Sequence, residues 1–324
     1  MATFHPKTAL KALVQMRVRK RPFVLSHGIN ARCNLRCPFC EYWRAPGPEM
    51  TLDAIFAMLK DARSFGIGVY NAWTAEPLLR PDLPAILGCA KSLGIVTSLI
   101  TNGQLLSSRI EDLDDLDYLS VSVDGIDSYR EIRGAAVEPV IEGIRAARKA
   151  GHAVLMNCVV SRKNLSELED LVRLAEELGA LISFEPLHET PGFEGVWEEM
   201  GIRDSDIPEY RRSVDRLVEM KKEGRPIINS LTYLGMVRDR NLDFRCHAPQ
   251  IVLSVASDGM VATCRVQNES LGNVSEGIAR VWERSKERRE EIVRDCEGCL
   301  FFGYVENSLL YDFRPEVLAH YRWM

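Results

Sequence analysis

The chain reads as an α/β protein: an incomplete parallel barrel of six strand–helix units, followed by a small C-terminal α+β module. Three observations predict this. Apolar strand-like runs alternate six times with helix-periodic stretches between residues 23 and 187, with short connections; alternation of that kind implies a parallel sheet with helices on its outside. A loop with three cysteines directly follows the first run, where parallel barrels carry their working loops. After Pro186 the alternation stops, and a hairpin signal, Ser257-Asp258-Gly259, stands among four further cysteines.

The elements follow in order. Phe23 to Asn30 is the first strand. Thr51 to Phe65 has helical spacing in Leu52, Ile55, Phe56 and Leu59, with Thr51 as N-cap and Gly66 as stop. Ile67 to Ala72 is the second strand, and Asp82 to Leu93 a helix ended by Gly94. Ile95 to Ile100 is the third strand, Ser107 to Leu116 a short helix, and Tyr118 to Val123 the fourth strand. Glu138 to Ala150 is a helix, Ala153 to Val160 the fifth strand, Asn164 to Leu178 a helix, and Leu181 to Glu185 the sixth strand. Beyond it, Asp206 to Glu223 is a charged helix broken by Gly224-Arg225-Pro226, and Ile227 to Met236 fits a short helix or a strand pair. Ile251 to Val255 and Met260 to Thr263 form the hairpin, and Glu276 to Arg294 one highly charged helix. Four segments result: a basic N-terminal helix over 1–22, the barrel over 23–187, a bridging helical region over 188–245 and the thiol-bearing module over 246–324.

Composition is that of an ordinary globular chain: 324 residues, 46% hydrophobic and 27% charged. No apolar run reaches the roughly 20 residues of a membrane span, and the N-terminus has no signal-peptide pattern. A net charge of −5 gives no sign of nucleic acid as a partner. Nine cysteines without an export signal point to a reducing, cytoplasmic setting and to metal binding. Lys7, Lys11, Arg17, Arg19, Lys20 and Arg21 occur with no acidic residue among them, beside Leu10, Leu13, Val14 and Met16. The reading adopted is a solvated helix packed over the bottom of the barrel; membrane contact through an interfacial helix is the alternative.

The chemistry starts at Cys33, Cys37 and Cys40, spaced CxxxCxxC with Phe39 before the third thiol. Three soft ligands in one loop wrap one face of an iron–sulfur cube and leave one iron open for a ligand that is not protein. Zinc would need a fourth ligand nearby, and the loop has no His. Cys246, Cys264, Cys296 and Cys299 supply four thiols, two of them as CxxC, which suit a second 4Fe–4S cluster or structural zinc equally. Cys89 and Cys158 fall inside a helix and a strand and read as buried small apolar residues.

The first cysteine pattern resembles the radical S-adenosylmethionine (SAM) superfamily, and Cys246…Gly259-x4-Cys264…Cys296-x2-Cys299 resembles the shortened SPASM, or twitch, module. The resemblance implies a partial (β/α)6 TIM-type barrel with a small C-terminal α+β iron–sulfur module. It implies a 4Fe–4S cluster on Cys33, Cys37 and Cys40 that binds SAM, and an auxiliary 4Fe–4S cluster on the second set. It places Phe39 near the adenine. Glu76-Pro77 stands where the family has Gly-Gly-Glu-Pro, so Glu76 with its backbone would hold the SAM amino group, although Thr74 and Ala75 replace the glycines. Ser120 to Gly125 with Arg133-Gly134 resembles the S-x-D-G…R-G pattern, which gives Ser122 and Arg133 the SAM carboxylate or ribose; Asp124 shapes the turn. Asn157 is a ribose candidate or a satisfied core amide. Tyr70, Asn102, Glu185 and the pair His188-Glu189 are candidates for substrate contact or proton transfer, with Glu185 and His188 as the catalytic pair. A flavodoxin- or ferredoxin-type electron donor is implied.

The expected activity is reductive SAM cleavage, hydrogen abstraction, and oxidation of the substrate radical through the auxiliary cluster, by dehydrogenation or cross-linking, in an oxidoreductase. The substrate is a small molecule, a lipid or a peptide. Radical coupling or adenosylation of a lipid, a peptide-modifying maturase and a non-enzymatic iron–sulfur electron carrier are the alternatives.

Overall fold

The computed structural model describes residues 6–44, 47–188 and 194–318. Six parallel strands make the barrel wall: β1 Val24–Gly28, β2 Val69–Trp73, β3 Val96–Thr101, β4 Tyr118–Ser122, β5 Ala153–Val160 and β6 Leu181–Pro186. The last three strands are β7 Val252–Val255, β8 Met260–Ala262 and β9 Ser270–Asn273. All nine belong to one sheet, in the order β6-β5-β4-β3-β2-β1-β7-β8-β9. β7 runs parallel to β1, with Leu25 beside Leu253, and the β7–β8 and β8–β9 pairs are antiparallel. The hairpin read from Ser257-Asp258-Gly259 is therefore present, but it extends the barrel sheet instead of standing apart from it.

Strand alternation sorts the side chains. Leu25, Tyr70, Leu99, Leu119, Met156, Ile182 and Leu253 enter the main apolar core with the surrounding helices. Their neighbours along the strands face the other way. There Ser26 lies beside Asn71 and Ser254, Asn71 beside Ser98, and Asn157 beside Ser122 and Ser183. The lumen-facing set thus combines a band of small polar groups with larger side chains such as Trp73, Ile100 and Tyr118, while the shell is mainly apolar.

Several boundaries moved for identifiable reasons. Thr51 caps its helix through Oγ1, which accepts the Ala54 N–H, and Gly66 ends it at φ 108°. The second strand starts at Val69 because the amides of Gly68 and Val69 both donate to the Phe23 carbonyl. The helix expected over 107–116 is two short 3-10 turns, Leu106–Ser108 and Ile110–Leu113; Arg109 between them donates to the Leu78 and Arg80 carbonyls. The charged stretch after Glu276 forms two helices, Ile278–Arg284 and Lys286–Asp295. Arg289 accounts for the break: its guanidinium lies 3.4 Å from the centre of the Trp282 ring and donates to the Trp282 carbonyl. The segment left between helix and strand pair is the helix Leu231–Asp239, capped by Ser230. The helix Phe302–Tyr311 was not read at all.

The N-terminal segment is an α-helix, Pro6–Leu13, running into a π-helical turn, Val14–Val18. Gln15 anchors it under the barrel by donating to the Phe65 and Pro22 carbonyls. Leu10 and Val18 remain 62% and 73% exposed, so only part of its apolar surface is covered. Among the described residues no helix is long and apolar enough to cross a membrane. Residues 1–5 of the basic segment and Glu189 lie outside the described residues.

Candidate functional site

The cysteine loop leaves β1 and is tied to the loop after β2. Asn30 Nδ2 donates to the Glu76 carbonyl at 2.8 Å, Thr74 Oγ1 to the Asn30 carbonyl at 3.1 Å, and the Glu76 amide to the Arg32 carbonyl at 2.9 Å. Arg80 draws the loop down by donating to the carbonyls of Ile29 and Met50. Thr74 and Ala75 sit at φ 72° and 45°, the left-handed region that glycine occupies without cost. The backbone shape of a Gly-Gly pair is thus kept by two residues that resist it. Ala75→Gly should remove ~1–2 kcal/mol of strain and give back ~0.5–1 kcal/mol through added chain entropy. A modest rise in urea midpoint is expected, and a fall would show that the strain is not there.

Within the loop, Cys33 Sγ receives the Leu35 amide at 3.4 Å and faces Asn102 Nδ2 at 3.8 Å. Cys37 Sγ lies 3.7 Å from the Arg133 carbonyl. Burial pushes the Cys37 thiol up to about 11; Arg133 opposes the shift, while Cys40 and Cys33 add to it. Cys33 is raised as well, by burial first, with a contribution from Cys40. Cys33 and Cys37 thus both feel Cys40 electrostatically, and ionising the thiols here calls for a compensating cation. All nine cysteines are free. Among the described residues no three His, Cys, Asp or Glu side chains are grouped to hold a single metal ion.

Glu76 is fully buried, and both carboxylate oxygens have protein donors: Thr101 Oγ1 and the Leu78 amide on Oε1, the Asn102 amide on Oε2. Burial raises its pKa against these donors. Its side chain ties the loop after β2 to the loop after β3. Arg133 is held by Asp124, Nε to Oδ2 at 2.6 Å, and Asp124 also receives the Val159 amide on Oδ1. Asp124, read from the sequence as a turn residue, is instead a fully buried counter-ion. The Arg133 guanidinium lies 5.6 Å from the Phe39 ring centre, so Phe39, Arg133 and Cys37 form one wall. Asn157 Oδ1 accepts from Ser183 Oγ at 2.7 Å, with Ser122 next in register. Tyr70 is not part of the opening: it faces the shell, fully buried, and bonds His27 Nδ1 at 2.9 Å. Asn102 is, through its contact with Cys33.

Glu185 and His188 stand across the opening. Glu185 Oε2 accepts the Phe302 amide at 3.1 Å; burial pushes its pKa up and Arg265 opposes this. His188 stacks on Phe301 with ring centres 3.8 Å apart, and its Nε2 is buried without a partner. Burial, with Arg265 adding to it, lowers His188 to about 3, so the ring is neutral at ordinary pH. Arg265 had no sequence signal beyond following Cys264. Its guanidinium lies 4.5 Å from the Phe301 ring centre, 5.3 Å from Trp73 and 5.6 Å from Tyr42.

The thiols of the second set also act on one another electrostatically. Cys299 is pushed up to about 12 by burial, with Cys246, Cys264 and Cys296 all contributing. Backbone amides of Gln267 and Gly298 point at Cys264 Sγ and Cys296 Sγ, each at 3.4 Å. Gly298, at φ 91°, is packed so closely that a Cβ would come within 2.8 Å of the Leu242 carbonyl oxygen. A cavity of about 640 Å³ borders Cys246, Cys296 and Gly298, with Arg245 and Arg294 on its rim. Cys158 is buried and Cys89 packs partly buried against the core.

Comparison with known proteins follows this geometry. Residues 29–175 match the Radical SAM superfamily, and residues 246–300 match SPASM, an iron-sulfur cluster-binding domain. The chain is 27% identical over 314 residues to an AdoMet-dependent heme synthase of Methanosarcina barkeri, covering 86% of this chain and 88% of that one. It is 31% identical over 279 residues to a probable GTP 3',8-cyclase of Saccharolobus solfataricus, covering 81% and 88%. The structure of SuiB from Streptococcus suis bound to S-adenosylmethionine superposes with a TM-score of 0.70 at 18% identity, covering 88% of this chain and 72% of SuiB.

Proposed function

The chain belongs to the radical SAM superfamily and carries a SPASM-type iron–sulfur cluster-binding domain, and from that premise we propose that it abstracts a hydrogen atom from a substrate at the barrel mouth and oxidises the resulting radical. It is an enzyme that uses S-adenosylmethionine and 4Fe–4S clusters. In this reading Cys33, Cys37 and Cys40 hold the cluster that binds SAM, and Cys246, Cys264, Cys296 and Cys299 hold the auxiliary one. Bound there, the first cluster would supply the reducing electron for SAM cleavage, and the second, closed by four thiolates, would accept the electron given up when the substrate is oxidised.

The residues of this chain do the rest. Phe39 offers a flat apolar face to the adenine. Arg133, fixed by Asp124, presents the free end of its guanidinium to the SAM carboxylate or ribose. Ser122 and Asn157 add hydroxyl and amide groups at the end of the lumen. The backbone over Thr74 to Glu76 meets the SAM amino group. Glu185, whose pKa burial raises, would take up the proton released on oxidation, with His188, held neutral, contributing as a hydrogen-bonding ring and not as the base.

One observation carries the oxidative reading: β7 of the cluster-binding domain is hydrogen-bonded to β1, which leads into the first thiol loop, so the two cysteine-bearing parts of the chain share one sheet. Arg265 joins them, adjoining Cys264 in sequence and acting electrostatically on Tyr42 and Cys40. Anaerobic reconstitution of wild type and Cys296→Ala tests it. The variant should lose about four iron atoms per chain and still release deoxyadenosine from SAM without completing turnover of substrate. A variant with unchanged iron and unchanged spectra would remove the auxiliary cluster from the account.

A further inference from the structure

Arg265 sits in an unusual place for an arginine. It leaves the cluster-binding domain one residue after Cys264 and enters the barrel mouth, where Phe301, Trp73 and Tyr42 surround its guanidinium. The backbone amide is fixed by the Tyr304 hydroxyl at 2.9 Å, so the side chain has a defined origin. Arg265 is exposed as a residue, while its guanidinium end packs against protein atoms. Among the described residues no carboxylate reaches ion-pair distance of it; Glu185 acts on it only from further away. Part of its N–H edge meets the Tyr42 side chain; stacking on aromatic faces steadies a guanidinium and leaves its remaining N–H groups free to donate.

Two further nitrogens lie close by: the Trp73 ring is 5.3 Å from the guanidinium, and His188 stacks on Phe301, whose ring the guanidinium also meets. Trp73 Nε1 is buried with no partner among the described residues, and so is His188 Nε2. Buried polar groups are nearly always satisfied, so an orphaned indole N–H beside a guanidinium with no carboxylate at ion-pair distance among the described residues indicates a missing acceptor. An indole N–H is a donor only, and a guanidinium has no acceptor. A ligand that satisfies both brings acceptor oxygens and negative charge.

We propose that Arg265 is the substrate anchor of this enzyme, receiving together with the Trp73 indole N–H an oxyanion of the substrate, a carboxylate or a phosphate. The assignment rests on the radical SAM reading for the identity of the opening, but not for the binding itself. The anchored group would lie between the first thiol loop and Cys264, beside Glu185 and His188. This narrows the substrate to an acidic molecule held by its charged end.

The test uses the anaerobically reconstituted full chain loaded with SAM and titrated calorimetrically with two probes, glutarate and inorganic phosphate. Wild type should bind at least one, and the better probe identifies the anion as carboxylate or phosphate. Arg265→Gln should bind it at least tenfold more weakly and Arg265→Lys to an intermediate degree, while the affinity for SAM moves less than twofold. Trp73→Phe keeps the ring, removes only the N–H and should weaken the probe severalfold; it carries the test if Arg265→Gln fails to take up iron. Equal binding by wild type and variants, or no binding of either probe by wild type, would overturn the proposal. So would a parallel loss of SAM affinity, which would hand Arg265 to the SAM carboxylate. Deoxyadenosine release by wild type is measured alongside; its absence would sink the radical reading and leave the anion result standing.

Discussion

Cys37→Ala is expected to abolish deoxyadenosine release and to lower the iron content by about four atoms per chain, with the second thiol set still loaded. Cys37 is the most enclosed member of its triplet, with the Arg133 carbonyl 3.7 Å from Sγ and the Trp43 indole donating to its backbone carbonyl. No other thiol is positioned to replace it: Cys158 is buried among the helix-facing side chains of β5. Iron analysis and chromatographic detection of deoxyadenosine on the same preparation check both halves. Retained SAM cleavage in the variant would mean that the radical chemistry does not start at this loop.

The second large effect is structural. Asp124→Ala leaves Arg133 with a buried charge and the Val159 amide without its acceptor. Removing one partner of a buried pair costs about 3–5 kcal/mol, a large fraction of the stability of a typical domain. Asp124→Asn separates the two contributions, because the amide oxygen still accepts from Val159 while the counter-charge is gone. The urea midpoint should fall most for Asp124→Ala, less for Asp124→Asn, and SAM binding should weaken in both. A midpoint within experimental error of wild type would show that Arg133 has another counter-ion.

What could be read from the chain beforehand was whatever is written locally. Strand–helix alternation, the Thr51 cap, the Gly66 stop and the cysteine spacings all lie within a few residues and obey short-range rules. The misses came from long-range partners. Asp124 looked like a turn residue because its counter-ion is nine positions away and its second donor is on β5. Tyr70 stood at the right height on β2, but strand parity turned it to the shell, where His27 receives it. Arg265 carried no motif, since its meaning depends on Tyr42, Trp73 and Phe301, brought from three parts of the chain. The helix at 302–311 was overlooked, and with it the amide of Phe302 that meets Glu185.

The seam between β1 and β7 constrains how the molecule can move. Because four backbone pairs, Val24 with Val252 through His27 with Val255, stitch the two halves into one sheet, the C-terminal part cannot swing away as a rigid body without breaking ladder hydrogen bonds. Any adjustment between the thiol sets would therefore have to come from the loops that carry them.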